Sequence, residues 1–232
     1  MIKVLALIPA RGGSKGLKNK NILDLGGIPL IAHSIKSALS SRSITKTVVM
    51  SDSNKILSIA KKFGADTIKL PTNLTEDRSP VIGSTLFTLS ELEKKGHTFN
   101  AIALLEPTSP LRASHDIDKA IELLNKNINK TDAIVSLGEV HLESPFIMKK
   151  IEKGFIFPIM EEKNIQRQLL PKAYFPYGVI YLIKTDILLK EKTFYPKRIL
   201  PYIIERWQNY EIDDIYDLLA IRSVFDYKNK KK

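Results

Sequence analysis

The stretch LALIPARGGSKGLKNKN, residues 5–21, decides the fold. It starts inside an unbroken apolar run, Val4 to Ile8, that halts at Pro9. A run without polar alternation is the pattern of a strand buried on both faces, and such strands belong to parallel sheets covered by helices. Past the proline come Arg11, Gly12, Gly13, Ser14, Lys15, Gly16, Lys18 and Lys20. In open α/β sheets ligands sit beyond the carboxyl ends of the strands, where this segment falls. Glycines let backbone N–H groups approach a ligand closely, and the cations add charge, so the segment reads as a cradle for phosphates. Its spacing fits neither G-x-x-x-x-G-K-S/T nor G-x-G-x-x-G, so it is silent about which phosphate. A flexible basic turn in solvent is the competing reading.

Outward from this stretch the same rhythm repeats. Thr47 to Met50, Thr67 to Leu70, Ala101 to Leu105 and Ala133 to Leu137 are further short apolar runs. Between them apolar residues recur at helical spacing: Ile31, Ile35, Ala38 and Leu39 after Pro29, then Ile56, Ile59, Ala60 and Phe63, closed by Gly64. A third helix is expected from Ser84 to Lys95, stopped by Gly96, and a fourth opens at Ser114 or His115. Strand alternating with helix predicts an α/β fold, a mostly parallel sheet with helices on both faces and right-handed crossovers.

The rhythm breaks after Val140. MKKIEKGFIF, residues 148–157, reads as a hairpin turning at Gly154. Residues 141–176 read as an insertion, a small dimerisation arm on a single domain spanning residues 1–232. Val179 to Ile183 resumes the sheet, and ILPYIIE is an edge strand, because Pro201 cannot donate to a ladder. A last helix is expected from near Asp213, carrying Leu218, Leu219, Ile221 and Val224.

Composition narrows the function. The 232 residues are 44% hydrophobic, enough for a sizeable core, and contain no cysteine, which fits a reducing cytoplasm and excludes disulfides and thiolate metal sites. No run approaches about 18 apolar residues, so no membrane span is expected, and the N-terminal run is too short for a signal peptide. The formal charge is +11. It signals either a lysine-rich solvated surface or an anionic ligand. The basic residues are scattered and not interleaved with aromatics, so nucleic acid is not the expected partner, although a basic nucleic-acid-binding module is the rival of another class. Eight of the 36 basic residues are Arg, each worth inspecting because the planar fork suits phosphate and carboxylate. The four histidines, His33, His97, His115 and His141, fall into no catalytic pattern.

Two later segments carry chemistry. In YEIDDIYDLL, residues 210–219, Glu211 and Asp213 are two apart and share a face of an extended segment. Paired carboxylates suit Mg²⁺, and Asp213 or Asp214 would equally make an ordinary helix N-cap. In QRQLLPKAYFPYG, residues 166–178, Arg167 stands among amides in the inserted region and reads as either an active-site or a surface arginine.

Taken in order, IPARGGSKGLKNKN, EPTSPLR, QRQLLPKAY, GVIY and EIDD resemble the CMP-sialic acid synthetases, the acylneuraminate cytidylyltransferases, and their relatives that activate legionaminic and pseudaminic acids. The likeness runs from Ile2 to about Val224. It implies a Rossmann-like nucleotide-sugar transferase fold, a homodimer, and transfer of CMP from CTP to an acidic nine-carbon sugar with Mg²⁺ as cofactor. It assigns Ala10, Arg11, Gly13, Ser14, Lys20, Asn21, Asp77, Arg78 and Ser79 to CTP. Glu106, Thr108, Ser109, Arg167, Phe175 and Tyr177 fall to the sugar, and Glu211 and Asp213 to the metal. Arg11, Lys20, Arg167 and Asp213 become the catalytic set. A same-fold enzyme acting on a Kdo-like sugar or a sugar 1-phosphate is the nearer alternative. Glu106 stands where sialate enzymes usually present glutamine, Phe175 and Tyr177 where arginine and asparagine are common, and Glu211 where aspartate is common, so the sugar need not be N-acetylneuraminate.

Overall fold

The structure is a computed structural model that describes residues 2–14, 16–76, 78–160, 166 and 169–230. In chain order its strands are β1 (Val4–Pro9), β2 (Asp24–Leu25), β3 (Ile28–Pro29), β4 (Lys46–Ser51), β5 (Asp66–Lys69), β6 (Ala101–Leu104), β7 (Ala133–Glu139), β8 (Lys149–Glu152), β9 (Phe155–Pro158), β10 (Tyr174–Lys184) and β11 (Ile199–Ile203). The α-helices are α1 (Leu30–Ser40), α2 (Asn54–Lys62), α3 (Val81–Glu93), α4 (Asp116–Lys126), α5 (Thr185–Glu191) and α6 (Ile215–Lys230).

Seven strands form one sheet in the order β11-β7-β10-β6-β1-β4-β5. The sheet is mostly parallel, as the continuous apolar runs predict. The exception is β10, which lies antiparallel between β6 and β7. Alternate residues of β1 feed two cores. Val4, Ala6 and Ile8 face α1, α2 and α4, and Leu5 and Leu7 face α3 and α5. Every residue from Val4 to Ile8 is fully buried, which is what covering both faces requires.

Local chemistry sets the helix ends. Gly64 and Gly96 hold φ of +89° and +78° just past α2 and α3, the left-handed conformation that ends helices there. Helix α3 begins at Val81, three residues before the expected Ser84, because Pro80 supplies the fixed φ of the residue ahead of the first turn. Pro29 likewise precedes α1 and pairs with Asp24 across a tight β2–β3 hairpin. Helix α6 starts at Ile215 with two reciprocal pairs of bonds. The Asp214 carboxylate accepts from the Tyr216 and Asp217 backbone N–H groups, and the Asp217 carboxylate accepts from those of Asp213 and Asp214. Asp214 is therefore the cap, and Asp213 is left to other work.

A third core joins the two ends of the chain. Leu25 and Leu30 pack with Leu111, Ile212, Leu218 and Ile221, with Leu17, Leu23 and Phe225 at its margin. This cluster holds the start of α6 against the segment that follows β1. The β8–β9 hairpin turns through Lys153 and Gly154, both at positive φ, as a two-residue hairpin turn prefers. Its strand residues are all exposed. Among the described residues no helix is long and apolar enough to cross a membrane.

Candidate active site

A cavity of about 520 Å³ opens at the carboxyl ends of β1, β4 and β6. Ala10, Arg11, Ser14, Lys20 and Asn21 form one wall. The loop is pinned from within. The Gly12 N–H donates to the Asp52 carboxylate at 2.7 Å, the Ala10 N–H to the Met50 carbonyl at 3.0 Å, and Asn21 Nδ2 to the Arg11 carbonyl at 3.0 Å. Gly12 lies against Ser53, and a Cβ on Gly16 would collide with the Asp213 carbonyl oxygen, so glycine is required where loop and late segment touch.

The opposite wall comes from the end of the chain. Lys20 Nζ donates to the Ile212 carbonyl at 2.7 Å and to Asp213 Oδ1 at 3.1 Å. Ile212 is fully buried, so its neighbours Glu211 and Asp213 both turn away from the third core, as alternation on an extended segment dictates. Their surroundings differ. Asp213 lines the cavity, with its side chain 85% exposed. Glu211 is half-buried, and its carboxylate accepts from Ser109 Oγ at 2.9 Å and from the Gly178 N–H. The Ile212 N–H donates to the Thr108 carbonyl at 2.9 Å, which ties the 106–112 loop to the segment carrying the late carboxylates.

Arg112 holds that loop. It is buried, and its Nε donates to the Val179 carbonyl at 2.6 Å. One terminal nitrogen donates to the Gly178 and Glu106 carbonyls and the other to Ser34 Oγ. Burial pulls its pKa down to about 10, and the Asp116 and Glu106 charges oppose that fall. Asp116 is equally buried, and it accepts from the Ala113 N–H, Tyr202 Oη and Gln208 Nε2.

Glu106 sits where this loop meets the cavity. Its pKa is pushed up to about 7, first by burial and then by the Glu211 charge, against the pull of Arg112. A Cβ on Gly178 would strike its carboxyl, so the bare backbone of β10 makes room for it. Glu106 also borders a second, aromatic cleft of about 270 Å³ lined by Tyr181, Phe194 and Tyr195. One carboxyl therefore faces two compartments.

Of the residues singled out by sequence, Ala10, Arg11, Ser14, Lys20, Asn21, Ser79, Glu106, Thr108 and Asp213 converge on the large cavity. Gly13 and Arg78 border a shallower cleft that shares Arg11 with it. Ser109 is buried with its hydroxyl committed to Glu211. Phe175 and Tyr177 pack edge to face at 5.1 Å on the early part of β10 and line neither compartment. Lys15, Asp77 and Arg167 lie outside the described residues.

The cytidylyltransferase family profile matches residues 5–231. This chain belongs to that family. It is 32% identical over 231 residues to the N-acylneuraminate cytidylyltransferase of Escherichia coli O18:K1:H7, a match covering 99% of this chain and 54% of that protein, so the chain spans about half the length of that relative. It is 32% identical over 206 residues to the CMP-N,N'-diacetyllegionaminic acid synthase of Legionella pneumophila, covering 88% of this chain and 87% of that one. Its fold is that of a CMP:2-keto-3-deoxy-manno-octonic acid synthetase solved with CTP, at a TM-score of 0.73 and 16% identity, over 97% of this chain and 99% of that one.

Sequence reasoning passed over three parts of this site. Thr75 and Glu76 enter the cavity from the loop before α3. Tyr181, Phe194 and Tyr195 build the second cleft. Arg112 stood inside the quoted EPTSPLR motif with no role. The scarcity of arginine was the available signal for it.

Proposed function

We propose that this protein transfers CMP from CTP to a nonulosonic, sialic-acid-like sugar acid, giving a CMP-sugar and pyrophosphate. The observation that carries this reading is the meeting of Arg11 and Lys20 with Asp213 around one cavity, though Lys20 and Asp213 stand 193 residues apart. Arg11, Lys20, Ser14 and the loop N–H groups would take the triphosphate. Phosphoryl transfer asks for positioning and charge neutralisation more than covalent help, and cations fixed beside the leaving group supply both. The acceptor would fill the aromatic cleft and reach the α-phosphorus past Glu106. Its anomeric oxygen then forms the new P–O bond as the bond to pyrophosphate breaks, and its proton leaves to solvent. Glu106 would bond the acceptor as donor or acceptor according to its protonation.

The residues suit a divalent cation. Burial first raises the pKa of Glu106, and the charges of Glu211 and Asp213 add to that rise, so negative charge gathers beside it. Among the described residues no three His, Asp or Glu side chains gather into a ligand set. Mg²⁺ is commonly held by one or two carboxylates plus substrate phosphates, and Asp213 with Glu211 would provide that share. When bound, Mg²⁺ supplies neutralisation of phosphate charge. The exposed apolar hairpin β8–β9 would pack on a second copy, making a homodimer, and dependence on CTP fits a cytoplasmic enzyme.

The test is pyrophosphate release, with mass detection of the CMP-sugar, across CTP, UTP and ATP and a panel of acidic sugars. CTP with a nonulosonic acid is the expected pair. Release from CTP with no acidic sugar in the panel overturns the reading, and release only with Kdo or a sugar 1-phosphate moves it to the alternative. Asp213→Ala should cost about 100-fold or more in kcat with an unchanged circular dichroism spectrum.

A further inference from the structure

A second cavity of about 490 Å³, nearly the size of the first, lies behind the active-site loop. Its wall is one face of α1, where His33, Lys36, Ser37 and Ser40 recur at helical spacing. His115 and Lys228 close it from other elements, with the aromatic bodies of Trp207 and Phe225 between them. Among the described residues no Asp or Glu lines it, and the carboxylate of Asp116 stands 3.7 Å from His115 Nε2. Its cations stand on elements far apart in sequence, so the fold gathers them; a solvated lysine run would not need that.

The aromatic groups are fixed in place. Lys228 Nζ sits 4.1 Å from the Trp207 ring centre, and His33 meets Phe225 edge to face at 5.3 Å. His33 Nε2 bonds the Leu25 carbonyl at 2.9 Å, which directs Nδ1 away from that bond. Burial lowers the pKa of His33, which favours the neutral ring, and an anion beside it would favour its proton. The seryl hydroxyls of Ser37 and Ser114 add donors suited to phosphate oxygens, while that of Ser40 donates to the Ser37 carbonyl at 3.0 Å.

The floor of this cavity is Pro110, Leu111 and Arg112. Arg112 reaches from it to the Glu106 and Gly178 carbonyls, and Glu106 lines the active-site cavity. One buried side chain thus links the floor of this cavity to a residue that lines the other.

We propose that this cleft is a second anion site, which takes a phosphate-bearing ligand of nucleotide size and acts on the active-site loop through Arg112. The regulatory half rests on the function proposed above, and the binding half does not. The chain contains a single tryptophan, Trp207, and it lies in the cleft, so its fluorescence reads occupancy directly. The test titrates the full chain, with CTP saturating and no acceptor sugar, using inorganic phosphate in one arm and AMP in the other.

A saturable change that persists under CTP is expected in both arms, with AMP binding at least about tenfold more tightly because it also fills the aromatic part of the cleft. Lys36→Glu and His115→Ala should each weaken AMP about tenfold or more while leaving CTP affinity unchanged. In turnover assays AMP should alter kcat without altering the KM for CTP. No saturable change through the millimolar range overturns the site. A change abolished by CTP assigns the anion to the active site and overturns it equally. Binding that leaves kcat untouched overturns the coupling through Arg112. Because fluorescence needs no turnover, a wrong acceptor sugar cannot be mistaken for a missing site.

Discussion

The loop at residues 106–112 and the hairpin β8–β9 are both excursions from the same sheet, and they are stabilised in opposite ways. The loop is satisfied from inside. Arg112 bonds three backbone carbonyls and a hydroxyl, and Asp116 bonds three donors. The hairpin carries its apolar residues outward, with Ile151, Phe155 and Ile156 each at least 70% exposed. Apolar surface left in water on one chain is surface waiting for another, whereas buried polar groups must be matched within the fold. The difference separates what the monomer builds alone from what, on the reading proposed here, a second copy completes.

Removing Arg112 is the strongest way to break that contrast. Arg112→Ala leaves the Glu106, Gly178 and Val179 carbonyls without their guanidinium partner in a buried place and should cost about 3–5 kcal/mol by urea unfolding. A loss under about 1 kcal/mol would mean the loop is held elsewhere. Glu106 gives the next effect. Its folded pKa of about 7 lies above the unfolded 4.5, so the folded chain binds the extra proton between those values. That stabilisation is complete below pH 4.5 and is lost as pH rises through about 7. In metal-free buffer the loss should be of order 1–3 kcal/mol, and in Glu106→Gln this window should be flat.

The hairpin should behave the other way. Paired Phe155→Ser and Ile156→Ser changes should shift monomer stability by no more than about 0.5 kcal/mol while weakening self-association about tenfold or more in sedimentation. Equal damage to both quantities would show that the hairpin packs on its own chain. Asp214→Ala sharpens the comparison at the smallest scale. It removes one helix cap at the site's edge and should cost about 1 kcal/mol in thermal unfolding, leaving Asp213 with Lys20.

Much of this was legible in the sequence. The unbroken run Val4 to Ile8 announced a strand covered on both faces, Gly64 and Gly96 marked helix ends, and Gly154 marked the hairpin turn. The phosphate-cradle reading of the glycine-rich segment rested on its place after β1, and the structure sets that segment at the rim of the cavity of about 520 Å³. Strand direction was not legible at β10, because a strand buried on both faces has the same apolar pattern whichever way it runs. Helix α3 begins earlier than its apolar spacing predicts because Pro80 presets the backbone ahead of Val81. The role of Arg112 depended on partners at Ser34, Gly178 and Val179, and no local pattern announces contacts that distant. Phe175 and Tyr177 share a strand face, but the register shift between Pro176 and Tyr181 decides where that face looks.

The bridge from Lys20 to Asp213 joins positions 193 residues apart. A ribosome must therefore deliver every residue as far as Asp213 before the two walls can meet. On the reading proposed here, a prematurely released or still-tethered chain holds the basic loop without its acidic counterpart, so unfinished copies leave the cell's nucleotide pool untouched.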